Sequence, residues 1–508
     1  MSLTGLTNFN ISTPLFINPF FIFVSQKIDI MTATVRRTTI LLSALIISII
    51  SFAGKPKYCI KVKINGLKDT ICFIGNYYGD KQYLKDTAKV DHNGYCEFSG
   101  DEQLPGGIYL IITPAKKYFE IVIDKEQFFS VETDTADFIG KMKIKGSSDN
   151  QLFYEYLKYM DAKHKEAEPF GMALKKIKEN KDSSKLMQDK LTAIDKEVQK
   201  YKLDFMASHP DVFLSKVFKA SYDPGIPEAP LMENGKRDSN YIQYKQHFLD
   251  NIDFSDDRLL RTPIFHNKIK QYITSLTVQL PDSIIKEADM LIEKARANKE
   301  IFKYVVWYLT NWSETSNIMG FDAIFVYLAE KYYMTNQAYW VNPSNLEKIT
   351  NRAKILKRLL LGTAIPNITM QDTNNVFVTL YNVKSKYTIL YFWDPTCGHC
   401  LKETPKLKSL YDSIKTKGIE VYAVCTDPNI AEWKKYIKAN SYNWINVMDV
   451  QNTTGFRTTF DIYSTPVIYL LDENKIILAK RLSVDQLREF MVRQFKKDEK
   501  EKTTEKSN

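Results

Sequence analysis

Two cysteines, Cys397 and Cys400, stand three positions apart in YFWDPTCGHCLKETPKL (Tyr391–Leu407), with Gly398 and His399 between them and Glu403 and Pro405 just beyond. A pair of this kind exchanges disulfides, binds a soft metal, or closes an inert bridge. Structural zinc takes four ligands, usually from two such pairs; here there is one, and Cys425 has no companion. No methionine- or histidine-rich segment accompanies the pair as a copper carrier needs, and His164, His209, His247 and His266 are scattered singly. No metal or cofactor is expected. An inert bridge closing so short a loop at a helix start is poor use of a disulfide, which leaves dithiol–disulfide chemistry as the reading.

The surroundings of the pair sharpen it. TILYFW (Thr388–Trp393) is a continuous apolar run of the kind that forms a strand buried on both faces. A helix should follow from the cysteines to about Lys417. Cys397 then falls at the helix N-terminus, where unpaired N–H groups and the dipole favour an anion. Its thiolate should form below the free-cysteine pKa of ~8.5, and a protonated His399 adds positive charge. Cys400, one turn deeper on the same face, is the resolving thiol. C-x-x-C beside strand–helix–strand order is a redox motif on this logic.

The elements that must hold the motif fall into three regions. From Gly362 strands and helices alternate: TILYFW, GIEVYAVCT, WINVMD, PVIYLLD and KIILAKRL as strands, with helices in NIAEWKKYIKAN, around Thr453 to Phe460, and from Val484. From Tyr58 to about Gly146, YCIKVKI, TICFIGNYY, GIYLIIT, YFEIVID and FFSVET read as short strands between turns, an antiparallel sandwich or open barrel. From about Gln151 to Arg358 the apolar period becomes helical, broken by the proline-rich YDPGIPEAP. The predicted division is a β-rich, sandwich-like domain at 54–148, an α-helical domain at 149–358, an α/β domain at 359–496 and a charged, loose tail at 497–508. The aromatic stripe through Tyr304, Trp307 and Tyr308 reads as core.

The chain has 508 residues, 44% hydrophobic and 26% charged, with 70 Lys+Arg against 60 Asp+Glu. That is too long for one core. The basic excess is spread among acids rather than gathered on a face or in a block, which excludes a nucleic-acid partner. Met31 opens a stretch with Arg36 and Arg37, a short apolar run from Ile40 to Phe52, and a small-x-small site ending at Ala53. This reads as an export signal with translation starting at Met31 and cleavage before Gly54. The alternative is an uncleaved anchor, though the run falls short of the ~20 residues of a membrane span. No cysteine stands at the cleavage point, so lipidation is not expected. Of the three cysteines Cys59, Cys72 and Cys96, one is left over if the other two pair, and the spacing does not say which.

GTAIPNITMQD, YTILYFWDPTCGHC, LKETPKL and YSTPVIYLLDENKIILAKRL together resemble the thioredoxin-fold, TlpA/ResA-like thiol–disulfide oxidoreductases of bacterial cell envelopes. The resemblance covers about Gly362 to Arg493. It implies a thioredoxin fold at the C-terminus, an attacking Cys397, a resolving Cys400, and a helix-kinking Pro405. Glu403 corresponds to an acidic residue able to take the Cys400 proton. Thr465 and Pro466 correspond to a cis-proline turn that lies against the cysteines and binds extended substrate. Trp393 corresponds to the first tryptophan of a W-x-x-W-C run and joins them as a substrate contact. Two positions depart: Thr396 stands where tryptophan usually precedes the first cysteine, and Tyr391 where cytosolic thioredoxins bury an aspartate.

The resemblance further implies a periplasmic or envelope location, a disulfide-bonded or thiol-bearing protein substrate, and a membrane thiol–disulfide electron donor. Reduction of protein disulfides is the expected direction. The Gly398–His399 pair is also that of protein disulfide isomerase, poised at ~−180 mV against ~−270 mV for thioredoxin, so oxidase or isomerase action is the alternative. A non-catalytic envelope binding protein is the other. A peroxiredoxin is not supported: Leu390 and Asp394 occupy the positions where that class needs proline and threonine or serine ahead of its cysteine.

Overall fold

The computed structural model describes residues 56–176, 181–225 and 239–505. The leader, the export signal, the YDPGIPEAP loop from residue 226 onward, and residues 506–508 of the tail lie outside the described residues. Among the described residues no helix is long and apolar enough to cross a membrane.

Eight strands open the chain: β1 (Tyr58–Asn65), β2 (Thr70–Tyr78), β3 (Lys81–Val90), β4 (Tyr95–Gly100), β5 (Gly107–Ile112), β6 (Tyr118–Ile123), β7 (Phe128–Asp134) and β8 (Lys143–Lys145). They form two four-stranded sheets, ordered β4-β1-β7-β8 and β3-β2-β5-β6. Alternation drives their packing. Tyr58, Ile60, Val62 and Ile64 of β1 are buried while Lys61 faces water, as a period of two requires. The pairs are antiparallel except β1 with β7, which run parallel. Strands β3, β4 and β8 escape the sequence reading. In KQYLKDTAKV only Ala88 and Val90 are buried, because β3 is an edge and its other residues have no core to face.

Nine α-helices follow among the described residues, from Ser148–Lys176 to Pro343–Lys357. Several starts are encoded by side chains that accept from otherwise unpaired N–H groups. Thr262 accepts from Ile264 N ahead of Pro263, Asn298 from Glu300 N and Ile301 N, and Asn342 from Asn345 N ahead of Pro343. The strands and helices share one core: Ile60, Ile74 and Ile111 belong to the same buried cluster as Phe153, Leu260, Ile301 and Tyr332. Asn150 fastens the junction, accepting from Val122 N (2.8 Å) and donating to Val122 O (2.7 Å). The sequence division at 148/149 thus separates secondary-structure types, not cores.

The C-terminal region carries β9 (Thr369–Asp372), β10 (Phe377–Thr379), β11 (Tyr387–Trp393), β12 (Ile419–Cys425), β13 (Ile445–Met448), β14 (Val467–Leu471) and β15 (Ile477–Lys480) in one sheet, ordered β10-β9-β13-β12-β11-β14-β15. Every residue of β11 is buried. It pairs in parallel with β12 and antiparallel with β14. Helices Gly398–Ile414, Ile430–Asn440, Phe456–Thr459 and Val484–Glu505 complete a thioredoxin-like fold. The expectation of a loose tail from 497 fails up to Glu505. The last helix runs through it, and Asp498 accepts from Tyr387 Oη (2.8 Å) and Lys386 Nζ (2.6 Å). The charged run is solvated, with Lys497, Glu499 and Lys500 exposed, yet it stays helical and is held to β11 through Asp498.

Polar contacts join this region to the preceding helices. The carboxylate of Asp461, fully buried, accepts from Arg352 of helix Pro343–Lys357 and from Arg481 just past β15. Lys480 donates to Asp322 and to Leu359 O. Asp461 has a left-handed backbone, φ 57°, which asparagine also tolerates. Asp461→Asn therefore isolates the charge, and should lower stability by about 2–3 kcal/mol in urea unfolding. An unchanged midpoint would mean the clamp contributes nothing.

Candidate active site

The redox motif is built from the end of β11 outward. Asp394 Oδ1 accepts from Thr396 N and Thr396 Oγ1, both at 2.7 Å, an Asx turn that stops the strand. Cys397 N donates to Asp394 O (3.2 Å), and Cys397 O takes the first helical bond from Leu401 N (3.0 Å). Cys397 is therefore the N-cap of helix Gly398–Ile414, with extended dihedrals of φ −77° and ψ 122°. Pro405 lies inside that helix and has no N–H to offer the preceding turn.

The two sulfurs sit in different environments. Cys397 is half-buried, and its Sγ donates to Thr465 O at 3.4 Å. Partial desolvation works to raise its pKa. The backbone N–H groups of Cys400 and His399, with contacts from Thr465 and the Cys400 thiol, outweigh that and hold it below the ordinary thiol value. Cys400 is 1% exposed and accepts from Asp394 N at 3.4 Å. Burial, aided by its contact with Cys397, pushes its thiol up to about 12. The sulfurs interact directly. One thiol is accessible and ionises early; its neighbour is sheltered and stays protonated.

The Thr465–Pro466 bond is cis, and the segment before β14 packs Thr465 O onto the Cys397 sulfur. A groove of about 460 Å³ opens beside it, bounded by His399, Glu403, Tyr463, Pro466, Arg352 and Arg481. Tyr463 is 76% exposed, and the Arg352 guanidinium lies 5.3 Å from its ring centre. Gly398 leaves open space: a Cβ there would meet nothing within 4 Å, so a substrate backbone can approach.

The sequence model of the AhpC/TSA family matches residues 361–480. Models described as domains of unknown function, DUF4369 and DUF5106, match residues 58–153 and 173–358. A thioredoxin-like protein of Haemophilus influenzae is 30% identical over 133 residues, covering 26% of this chain and 76% of its own length. The thiol-disulfide oxidoreductase ResA of Bacillus subtilis is 27% identical over 117 residues, 23% of this chain and 64% of its own. The chain belongs to the thioredoxin-like thiol–disulfide oxidoreductases related to ResA and TlpA. A solved domain of a possible thiol-disulfide isomerase from Cytophaga hutchinsonii is 47% identical, covering 28% of this chain and 96% of its own, with a TM-score of 0.26.

Within this thioredoxin-like module the predicted site residues take different places. Cys397, Cys400, Thr465 and Pro466 converge. Gly398 and His399 supply the turn above the sulfurs, and the exposed His399 faces the groove. Glu403 has both oxygens engaged: Oε1 accepts from Lys406 Nζ and Oε2 from Val484 N, each at 2.9 Å. It ties the active-site helix to the start of the last one. Trp393 is a correction. It is 0% exposed, packed against Tyr436 and Tyr442 with ring centres 5.6 and 5.9 Å away. It cannot contact substrate, because the last residue of a central strand points into the layer beneath the helices.

The departure expected at Tyr391 gains a partner in the structure, and three further residues, Tyr463, Asp461 and Arg352, were not foreseen. Tyr391 fills the site of the missing aspartate, with its hydroxyl 2.8 Å from Thr404 Oγ1, which donates to Cys400 O at 2.7 Å. Tyr463 and Asp461 precede the Thr465–Pro466 motif closely enough for their position to have flagged them. Arg352 carries no such signal, being over a hundred positions away in sequence.

Trp393 Nε1 has no hydrogen-bond partner among the described residues. Trp393→Phe removes that buried donor along with some packing, so stability should change by less than about 1.5 kcal/mol and disulfide exchange should stay within about twofold. A folded variant that loses exchange tenfold would return Trp393 to the substrate surface.

Proposed function

We propose that the chain is an exported thiol–disulfide oxidoreductase that reduces protein disulfides with the Cys397–Cys400 dithiol. The observation that carries this reading is the asymmetry of the sulfurs, one half-exposed with a lowered pKa and one buried at about 12. The Cys397 thiolate attacks a substrate sulfur and expels the other as a thiolate, giving a mixed disulfide. Cys400 surrenders its proton and attacks Cys397 Sγ. The substrate leaves with both sulfurs reduced, and the protein keeps the Cys397–Cys400 disulfide. A membrane thiol–disulfide donor then returns two electrons. Thr465 O and Gly398 border the approach of an extended peptide, and the groove beneath Tyr463 takes what lies beyond the scissile sulfur.

Reduction is the direction we adopt, with oxidase or isomerase action as its rival. Strong oxidants owe their potential to a stabilised reduced form. Here the hydrogen bonds to Cys397 outweigh its desolvation while Cys400 stays a neutral thiol, so what supports the reductase reading is the resemblance to the ResA-like oxidoreductases. The Gly398–His399 pair is the feature on the side of oxidase or isomerase action. Equilibration with glutathione buffers separates them: a reductase should lie nearer ~−270 mV than ~−120 mV. A value at the oxidising end would reverse the assignment.

Alkylation of the reduced protein by iodoacetamide, followed at Cys397 by peptide mass mapping, should accelerate as pH rises and level off once the thiolate is complete. Its half-point belongs below ~8.5. A half-point at or above the free-cysteine value removes the basis of the proposal. Cys397→Ser should abolish exchange. Cys400→Ser should instead accumulate a mixed disulfide with substrate protein, and a variant that traps nothing from an envelope extract would favour the binding-protein reading.

A further inference from the structure

Cys72 and Cys96 enter the β-rich region from different sheets. Cys72 lies on β2, opposite Ala88 of β3; Cys96 lies on β4, opposite Val62 of β1. Both point into the space between the sheets, at 0% and 7% exposure, within one buried cluster with Val62, Ile74 and Phe98. There the two thiols face each other and interact. The contact pulls the Cys72 thiol down and, with burial, pushes Cys96 up. Cys59 is set apart. On β1 it falls between the buried Tyr58 and Ile60, so it faces outward, where its thiol lies against Glu97.

We propose that Cys72 and Cys96 are a disulfide-forming pair that closes an inter-sheet bridge in oxidising surroundings, with Cys59 remaining a thiol. The oxidant is an organic disulfide, RS–SR, from a protein or a small molecule. The Cys72 thiolate attacks one sulfur and releases RS⁻, which takes up a proton. Cys96 then loses its proton and attacks Cys72 Sγ, releasing the second RS⁻. Two thiols become one disulfide, and RS–SR becomes two RSH. Because both sulfurs are shielded once the sheets close, this happens while the sandwich is still open. The finished bridge is out of reach of thiols in solution, whereas the Cys397–Cys400 centre is not. The crosslink joins strands that backbone hydrogen bonds leave in separate sheets, and it lowers the freedom of the unfolded chain.

The test uses the full chain, refolded from denaturant with reduced and oxidised glutathione and then held natively in dithiothreitol. After acid quench and removal of dithiothreitol, labelling of every free thiol in denaturant and proteolysis, peptide mapping should find Cys72 linked to Cys96, with Cys59, Cys397 and Cys400 labelled. The same chain refolded under reducing conditions should melt roughly 5–10 °C lower. Labelled Cys72 and Cys96 in the oxidatively refolded chain, or a peptide joining Cys59 to either, overturns the proposal. A Cys72→Ala, Cys96→Ala double variant should melt at the same temperature with and without oxidant; a persisting oxidant-dependent shift would place the stabilising bridge elsewhere. Since no step uses Cys397 or Cys400, the result is independent of the function proposed for them.

Discussion

A single sulfur held against the unpaired N–H groups of a helix start governs the arrangement of the C-terminal module. Cys397 has to be the residue where β11 has ended and the helix has not quite begun, because only there do backbone donors point outward without helical partners. Asp394 enforces the position by turning the chain onto Thr396. The burial of β11 on both faces anchors the turn from below, and β14 brings the Thr465 carbonyl to the same atom from the side. A shift of one residue in any of these elements would move the sulfur away from its donors. The thiol would then be left with desolvation alone, which raises its pKa.

Legibility in the sequence followed the range of the interactions. The attacking and resolving cysteines, the buried strand and the helix start are set by neighbours in sequence, and could be read directly. Helix starts at Thr262, Asn298 and Asn342 are equally local. What stayed hidden depends on distant partners. Strand β3 is polar because it is an edge, and nothing in its own residues reports that. The last helix persists past Lys496 because Asp498 finds Tyr387 across the fold. Trp393 misled for the opposite reason: a motif position suggests a role, while its orientation is decided by strand parity and by the aromatic layer of Tyr436 and Tyr442.

Glu403 shows how one residue type at one position admits two accounts. Its spacing from Cys400 suits proton transfer, yet both oxygens serve to dock helices, one through Lys406 and one at the N-terminus of helix Val484–Glu505. A carboxylate that accepts a backbone N–H at a helix start is in a favourable field and is held in place. The neighbouring Asp461 does comparable work between regions. Its two arginines come from either side of the groove, so the wall facing the redox centre is partly made by a helix that precedes the thioredoxin-like module. The upstream helices therefore shape the groove beside the cysteines, besides sharing a core with the β-rich sheets.

The chain holds two thiol pairs whose surroundings differ in the one respect that decides their chemistry. At Cys397 the sulfur has open space beyond Gly398 and a groove at its side, so a partner disulfide can reach it and leave. At Cys72 and Cys96 the sulfurs meet in a closed apolar layer, where no partner can follow them. Exchange needs three sulfurs in line, and only the first site has room for the third. Access, rather than thiol pKa alone, separates a bond that cycles from one that persists. Under the function proposed for Cys397 and Cys400, a bridge between Cys72 and Cys96 would be closed to the chain's own active site.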